Sequence, residues 1–336
     1  MSWLRTLTSR SPRVRPSTAR RPRSARPSLE GLEERQVLST SSPAIHAVMD
    51  SSGHSEVFFI NKQNHAFDMH DAGGVHQLSG AYTVQSLSAG VDSAGHADAF
   101  VTAGDNSIWE WNSSGWHKLY EPEHMTQFAA VKGDRAYAVG ADGALYEYSP
   151  PYTIYLPPYG IPIHLGGWQR LDGPGAVQSI DAVTDAKGYD AVFAIRGDGS
   201  FQERYNGQWQ WLSGSYSIQS GFSAGTDASG NADVFGLDAG QLWRHTTAGW
   251  AMLGAPHTVS TLSATNQGQV AFISTSGALE KYDASGTLHV LDSNSSFLEV
   301  SAAASNDVYV TVWDSSGWER TGGGAWNNWS PSGTVL

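Results

Sequence analysis

The chain has no cysteine among its 336 residues. Neither a disulfide nor a thiolate-bound zinc can hold the fold, so the core must be stable on packing and hydrogen bonding alone. Charge is also scarce. Asp, Glu, Lys and Arg make up 15% of the chain, against ~25% in an average soluble domain. No run approaches the ~18 consecutive apolar residues of a membrane-spanning helix. There is no H-E-x-x-H helix, G-x-S-x-G elbow, phosphate-cradling lysine loop or G-x-G-x-x-G after a strand, which removes the usual signatures of zinc proteases, serine hydrolases and nucleotide enzymes. What is plentiful is glycine, with 37 residues, and tryptophan, with 13. Such a mixture suits many short strands joined by tight turns.

Charge is unevenly placed. Residues 1–42 hold nine Arg, no Lys and three acids, Glu30, Glu33 and Glu34. Subtracting them from 20 basic and 32 acidic residues leaves 11 against 29, so the body is about −18 and the leader +6. A body that acidic repels phosphate backbones, and nucleic acid is not an expected partner. The Arg/Pro/Ser run from Ser9 to Ser28 has nothing to bury, is expected to be disordered, and lacks the apolar stretch of an ordinary signal peptide. It leads into Leu29-Glu30-Gly31-Leu32-Glu33-Glu34-Arg35-Gln36-Val37-Leu38-Ser39. This segment resembles the LEPR-type leader of exported planctomycete proteins, a resemblance that implies export or surface display. The competing reading is a short amphipathic helix without a role.

From residue 43 the sequence repeats. A small-residue strand recurs at Ile45-His46-Ala47, Leu87-Ser88-Ala89, Phe128-Ala129-Ala130, Ile180-Asp181-Ala182, Phe222-Ser223-Ala224, Leu262-Ser263-Ala264 and Val300-Ser301-Ala302. Its alanines lie 42, 41, 52, 42, 40 and 38 residues apart. In phase with it come a Gly turn such as Asp92-Ser93-Ala94-Gly95, an apolar strand, a second turn such as Asp198-Gly199, and a third strand such as Ile108-Trp109-Glu110-Trp111. A fourth strand is marked by the pairs Val75/Leu78, Trp116/Leu119, Trp168/Leu171, Trp209/Leu212, Trp250/Leu253, Leu288/Leu291 and Trp326/Trp329.

Four short strands per ~40 residues describe one propeller blade. The predicted fold is all-β: a seven-bladed propeller of four-stranded antiparallel blades, with blades at about 43–82, 83–125, 126–175, 176–216, 217–256, 257–295 and 296–336. The Ser-Ala strand is expected innermost, where strands crowd, and the fourth-strand tryptophans between blades further out. Each blade is apolar on both faces and needs its neighbours, so the ring must close.

The pattern S-A-G-x-D-x-x-G-x-A-D-x-F, D-G-x-L-W, G-W-x-x-L, best at Ser88–Trp116 and Ser223–Trp250, resembles the tectonin-like and PLL-like lectin propellers. That resemblance implies a seven-bladed, non-enzymatic sugar-binding protein without a cofactor. Blades 3, 6 and 7 depart from it at Lys132-Gly133-Asp134, Asn266-Gln267-Gly268 and Ser305-Asn306-Asp307, which implies fewer than seven sites.

Trp116, Trp168, Trp209, Trp250 and Trp326 are in register, and packing accounts for them. Trp109, Trp111, Tyr146, Tyr148, Trp243 and His245 vary between blades, which suits partly exposed ligand-binding positions. Asp92 with Asp98, and Asp227 with Asp233, bracket turn glycines in a faint echo of calcium loops. They lack closely spaced acids and are read as Asx-capped hairpin turns. His65, His70 and His76 are read as solvated loop residues. A sialidase-like site would need converging arginines, and Arg135, Arg170, Arg196, Arg204, Arg244 and Arg320 come from scattered strands. The 52-residue interval holds an insertion, Tyr148–Ile163, whose Tyr152, Tyr155 and Tyr159 suit a partner loop; a neutral loop extension accounts for it equally well. The expected partners are glycans or cell-envelope components, engaged by an exported monomer, with a protein-interaction scaffold as the alternative function and a glycoside hydrolase third.

Overall fold

The computed structural model describes residues 45–62, 67–80, 84–119, 124–156, 161–212, 218, 220–253, 259–293, 296–304, 306–322, 324–331, 334 and 335. The leader and Tyr159 lie outside them. Among the described residues there are 28 strands, in seven sheets of four, every sheet antiparallel and in chain order. The first strands, from Ile45–Met49 through Val84–Val91 to Phe297–Ala304, each pack beside the next, and the seventh returns to the first. This is the seven-bladed propeller the repeats require, with the Ser-Ala strands around the axis.

Crowding at the axis explains the small residues. A Cβ on Gly225 would sit 2.3 Å from the Thr265 carbonyl oxygen of the next blade, so that strand has no room for a side chain.

Serine has a second purpose there. The side chain before each alanine accepts the alanine N–H of the following blade. His46 Nδ1 takes Ala89, Ser88 takes Ala130, Ser223 takes Ala264 and Ser263 takes Ala302, at 2.9–3.1 Å. Ser301 takes Ala47 at 2.8 Å and carries the chain of contacts back to blade 1. Blade 3 has Ala129 at this place, which leaves the Ala182 amide without its partner. Asp181 makes up the deficit: Oδ1 accepts Ala182 N–H and Oδ2 accepts Ala224 N–H, both at 2.8 Å. Gln127 secures the same junction by exchanging two hydrogen bonds with the Ile180 backbone, at 2.8 and 3.1 Å.

Outside this ring, Phe58, Phe100, Phe193 and Phe235 of the second strands are fully buried between blades, each worth roughly 1.5–3 kcal/mol. Ring closure needs no exchanged strand, because blades 1 and 7 are each contiguous in the chain. Val335 instead bridges to Asn61 of blade 1. Ser55 donates to Asp307 and Lys62 to Ser315, both at 2.8 Å. His70, expected in a solvated loop, belongs to this seam: it bonds Glu319 at 3.0 Å and stacks on Trp329 at 5.2 Å. His76 is exposed beside Asp71, and His65 lies outside the described residues.

The insertion in blade 3 is a correction. Read as a loop, it instead continues the third and fourth strands as a long hairpin, Leu145–Leu156 paired with Ile161–Arg170. Pro150 and Pro151 fall where the register breaks between Ser149 and Tyr152. The bulge needs no ladder N–H from them, so pairing resumes beyond it.

Candidate functional site

The third-strand candidates do not form an open surface. Tyr146, Tyr148 and Trp243 are buried, while Trp109, Trp111 and His245 are half-buried. Trp111 lies edge-on to Phe58 of blade 1 at 5.6 Å, Tyr148 edge-on to Phe100 of blade 2 at 6.2 Å, and His245 packs on Trp250 at 5.0 Å. The indole N–H of Trp109 is committed to Ser107, itself fixed by Asp105; Trp318 repeats this with Ser316 and Asp314. These rings are packed within their own blade for Trp109 and His245, and against the preceding blade for Trp111 and Tyr148. The fourth-strand tryptophans do fill the gaps between blades. Trp116 and Trp250 each reach back to a carbonyl of the preceding blade, Leu78 at 2.9 Å and Leu212 at 2.6 Å.

Register explains why the third-strand rings are covered. Each has a fourth-strand residue directly opposite on the same face. Trp109 faces Lys118, Tyr146 faces Arg170 and Trp243 faces Met252. The cations lie over the rings, Lys118 at 5.8 Å from Trp109 and Arg170 at 5.9 Å from Tyr146.

Blade 4 inverts this arrangement. Gln202 occupies the third-strand place, and the ring, Trp211, stands on the edge strand Gln208–Trp211 with 63% of its surface exposed. The next pair on the same face is Arg204 with Trp209. Trp209 packs into the core between blades 3 and 4 and is roofed by the Arg196 guanidinium at 4.4 Å, which pairs with Asp172. Burial raises the Glu147 carboxyl of blade 3 above its usual range, and the charge of Arg204 opposes the rise. The rim of the cleft between blades 3 and 4 therefore presents one exposed indole near an amide, two guanidinium groups and a carboxylate.

Other aromatics among the described residues are exposed as well, Tyr189 of blade 4 included. Trp313, in the turn after the second strand of blade 7, is 72% exposed. On the blade 3 hairpin, Tyr152 and Tyr155 are exposed, with Ile154 between them. Trp211 and Trp313 were missed from sequence because neither sits at a repeated aromatic position. The usable signal was the Gln208-Trp209-Gln210-Trp211 alternation, whose second tryptophan falls where other blades place Lys118, Arg170 or Met252.

Along the axis runs a cavity of 740 Å³ lined by the first strands. Its titratable lining residues include His46 and Asp181. Burial holds His46 neutral, its pKa lowered to about 4, which suits an Nδ1 that accepts a hydrogen bond. Burial likewise raises Asp181 to about 6, against the amides that favour its charge. Native Asp181 then keeps its proton up to about pH 6, where the unfolded chain has lost it near 3.9. The native state binds more protons in that window, so this group's contribution to stability is present below pH 4 and lost as pH rises through 6. The double variant Ala129→Ser/Asp181→Ser restores the regular serine ring. It is expected to match the parent at pH 4 and to exceed it by about 1–2 kcal/mol above pH 6, less than the full two-unit conversion because the channel wets the carboxylate. Asp181→Ser alone orphans the Ala182 amide and should cost about 1–2 kcal/mol more than the double variant. Urea denaturation at pH 4 and 7.5 checks both.

No protein-family model matches the chain, and no curated protein matches it. Similar solved structures include a catalytically inactive virginiamycin B lyase from Staphylococcus aureus with quinupristin, at TM-score 0.58 and 10% identity, covering 84% of this chain and 96% of that one. The Dos1 propeller is similar at TM-score 0.51 and 10% identity, over 88% of this chain and 86% of its own. The SapL1 lectin, solved with α-methyl fucoside, gives TM-score 0.48 and 16% identity, over 76% and 97%. At such identities the likeness shows the propeller fold and nothing of chemistry.

Proposed function

We propose that this propeller binds carbohydrate, without turning it over, at the rim of the cleft between blades 3 and 4. The observation that carries the reading is Trp211, whose indole is 63% exposed on an edge strand opposite Gln202. An indole face stacks on the apolar C–H side of a pyranose. Gln202, Arg204 and the Arg196–Asp172 pair supply donors and acceptors for its hydroxyls. The resemblance of the blade repeats to tectonin-like and PLL-like lectins supports the same class of ligand, and the leader motif supports a location outside the cytoplasm. Titration of methyl glycosides against tryptophan fluorescence tests it. One sugar class is expected to shift the emission at millimolar concentration. Trp211→Ala should weaken that response at least tenfold, while Trp109→Ala changes it less than twofold because its ring is already covered. Equal loss in both variants would contradict the assignment.

A second reading rests on the blade 3 hairpin, whose exposed Tyr152, Ile154 and Tyr155 fit a protein partner of the cell envelope. Ser149 and Gly167 already pair across its base, so joining them removes the projecting part with little strain. If the hairpin is the functional element, that variant stays folded and loses capture of an envelope protein that the parent retains.

A further inference from the structure

One buried carboxylate in the ring lacks a counterpart. Asp98, in the second strand of blade 2, is fully buried, and among the described residues neither of its oxygens has a hydrogen-bond partner. Beside it stand Glu110, on the third strand of the same blade, and Asp134, in the first turn of blade 3. One oxygen from each of the three lies within 4.8 Å of the others.

The repeat itself shows what such a carboxylate requires. In blade 5 the registers place Asp233 and Arg244 at the positions of Asp98 and Glu110. There the guanidinium grips the carboxylate through Nε at 2.8 Å and Nη2 at 2.7 Å. The facing turn of blade 6 makes room for it with Gly268, where a Cβ would lie 2.2 Å from Nη2. Blade 7 again has two acids, Asp307 and Glu319, but each has protein partners: Ser55 and the Gly322 amide for the first, His70 for the second. Blade 2 puts a carboxylate where blade 5 puts a cation, and the blade 3 turn adds Asp134 directly after Gly133, the counterpart of Gly268. Desolvation, and after it the neighbouring acids, pushes the Asp98 carboxyl well above its usual range and that of Glu110 to about 7.

We propose that Asp98, Glu110 and Asp134 form a calcium site that joins blade 2 to blade 3, the ion standing where blade 5 has a guanidinium. The donor set is all carboxylate oxygen, which selects a hard cation. A Ca–O distance of about 2.4 Å spans opposed oxygens up to about 4.8 Å apart, whereas magnesium needs a tighter cage at about 2.1 Å. Asp134 is only half-buried, so the ion enters and keeps its water on that side. Glu110 and Asp134 each retain one outside contact, with the Asn112 amide at 3.2 Å and the Ser93 backbone N–H at 3.1 Å. The site is independent of Trp211 and of the sugar reading.

The test uses the full chain, stripped with EDTA and titrated with calcium or magnesium chloride. Calorimetry should give one calcium per chain with a dissociation constant on the order of 10⁻⁵–10⁻³ M. Calcium at 5 mM should raise the melting temperature by about 5 °C, and magnesium by less than half as much. Glu110→Arg copies blade 5 into blade 2: it should melt above the parent in EDTA and no longer respond to calcium. Should that variant not fold, Asp134→Asn, at a half-open position, is expected to weaken calcium binding at least tenfold. No heat and no shift at 5 mM calcium, or an undiminished shift in both variants, would overturn the site.

Discussion

A chain stopped at Gly333 is expected to melt about 5–10 °C below the parent. The tail it loses is the clasp between the last blade and the first. Val335 is completely buried among Ile45, Phe59 and Trp329. The amides of Thr334 and Val335 donate to the Ser315 carbonyl of blade 7 at 3.0 and 2.8 Å, and the Thr334 carbonyl accepts Lys62 N–H of blade 1 at 2.6 Å. Burial of one valine is worth about 1.5–3 kcal/mol and each net hydrogen bond about 1 kcal/mol. The loss is therefore about 3–5 kcal/mol, discounted for partial recovery of the bonds by water. At about 2 °C per kcal/mol for a domain of this size, the shift follows. Thermal melts of the two chains by circular dichroism measure it. A shift under 2 °C would mean that Ser301–Ala47 and the His70–Glu319 seam close the ring without the tail.

Arg244→Ala should be as damaging, costing about 3–5 kcal/mol, although a single side chain is lost. Among the described residues the guanidinium is the one charge partner of Asp233, whose carboxylate is fully enclosed. Removing one member of a buried pair leaves the other charged and desolvated, and that penalty exceeds the worth of the pair. The Asp233 carboxyl is already raised to about 6 by burial, with Arg244 opposing the rise. Without the arginine its pKa climbs further, so the variant should lose most stability at neutral pH and recover part of it as pH falls toward 4. Asp233→Asn/Arg244→Ala removes the stranded charge and is expected to regain at least half of the loss. Guanidinium denaturation at pH 5 and 7.5 separates the two variants. A cost below 1 kcal/mol at pH 7.5 would show that water reaches Asp233.

The ring was legible in the sequence because a propeller is periodic. Seven in-phase alanine-bearing first strands and seven fourth-strand markers leave few other arrangements, and crowding at the axis predicts which strand is innermost. Exposure was not legible. Whether Trp109 or Trp211 faces solvent depends on the cross-strand partner and on the neighbouring blade, and both follow from register rather than from the repeat. His70 was misplaced for a similar reason: its partners Glu319 and Trp329 lie some 250 residues away, across the closing seam. Asp98 read as part of an ordinary turn, since only the stacking of blade 3 on blade 2 brings Asp134 beside it. The Asp181 anomaly had a faint trace in the alignment, where Ala129 breaks the run of side-chain acceptors one blade earlier.

The measurement that tests the functional claim most directly is a glycan array probed in parallel with the full chain and with its Trp211→Ala variant, both verified as folded. Binding confined to one sugar class by the parent, and absent from the variant, is the predicted result. A blank array from a folded parent, or the same pattern from both proteins, would contradict sugar recognition at the rim between blades 3 and 4.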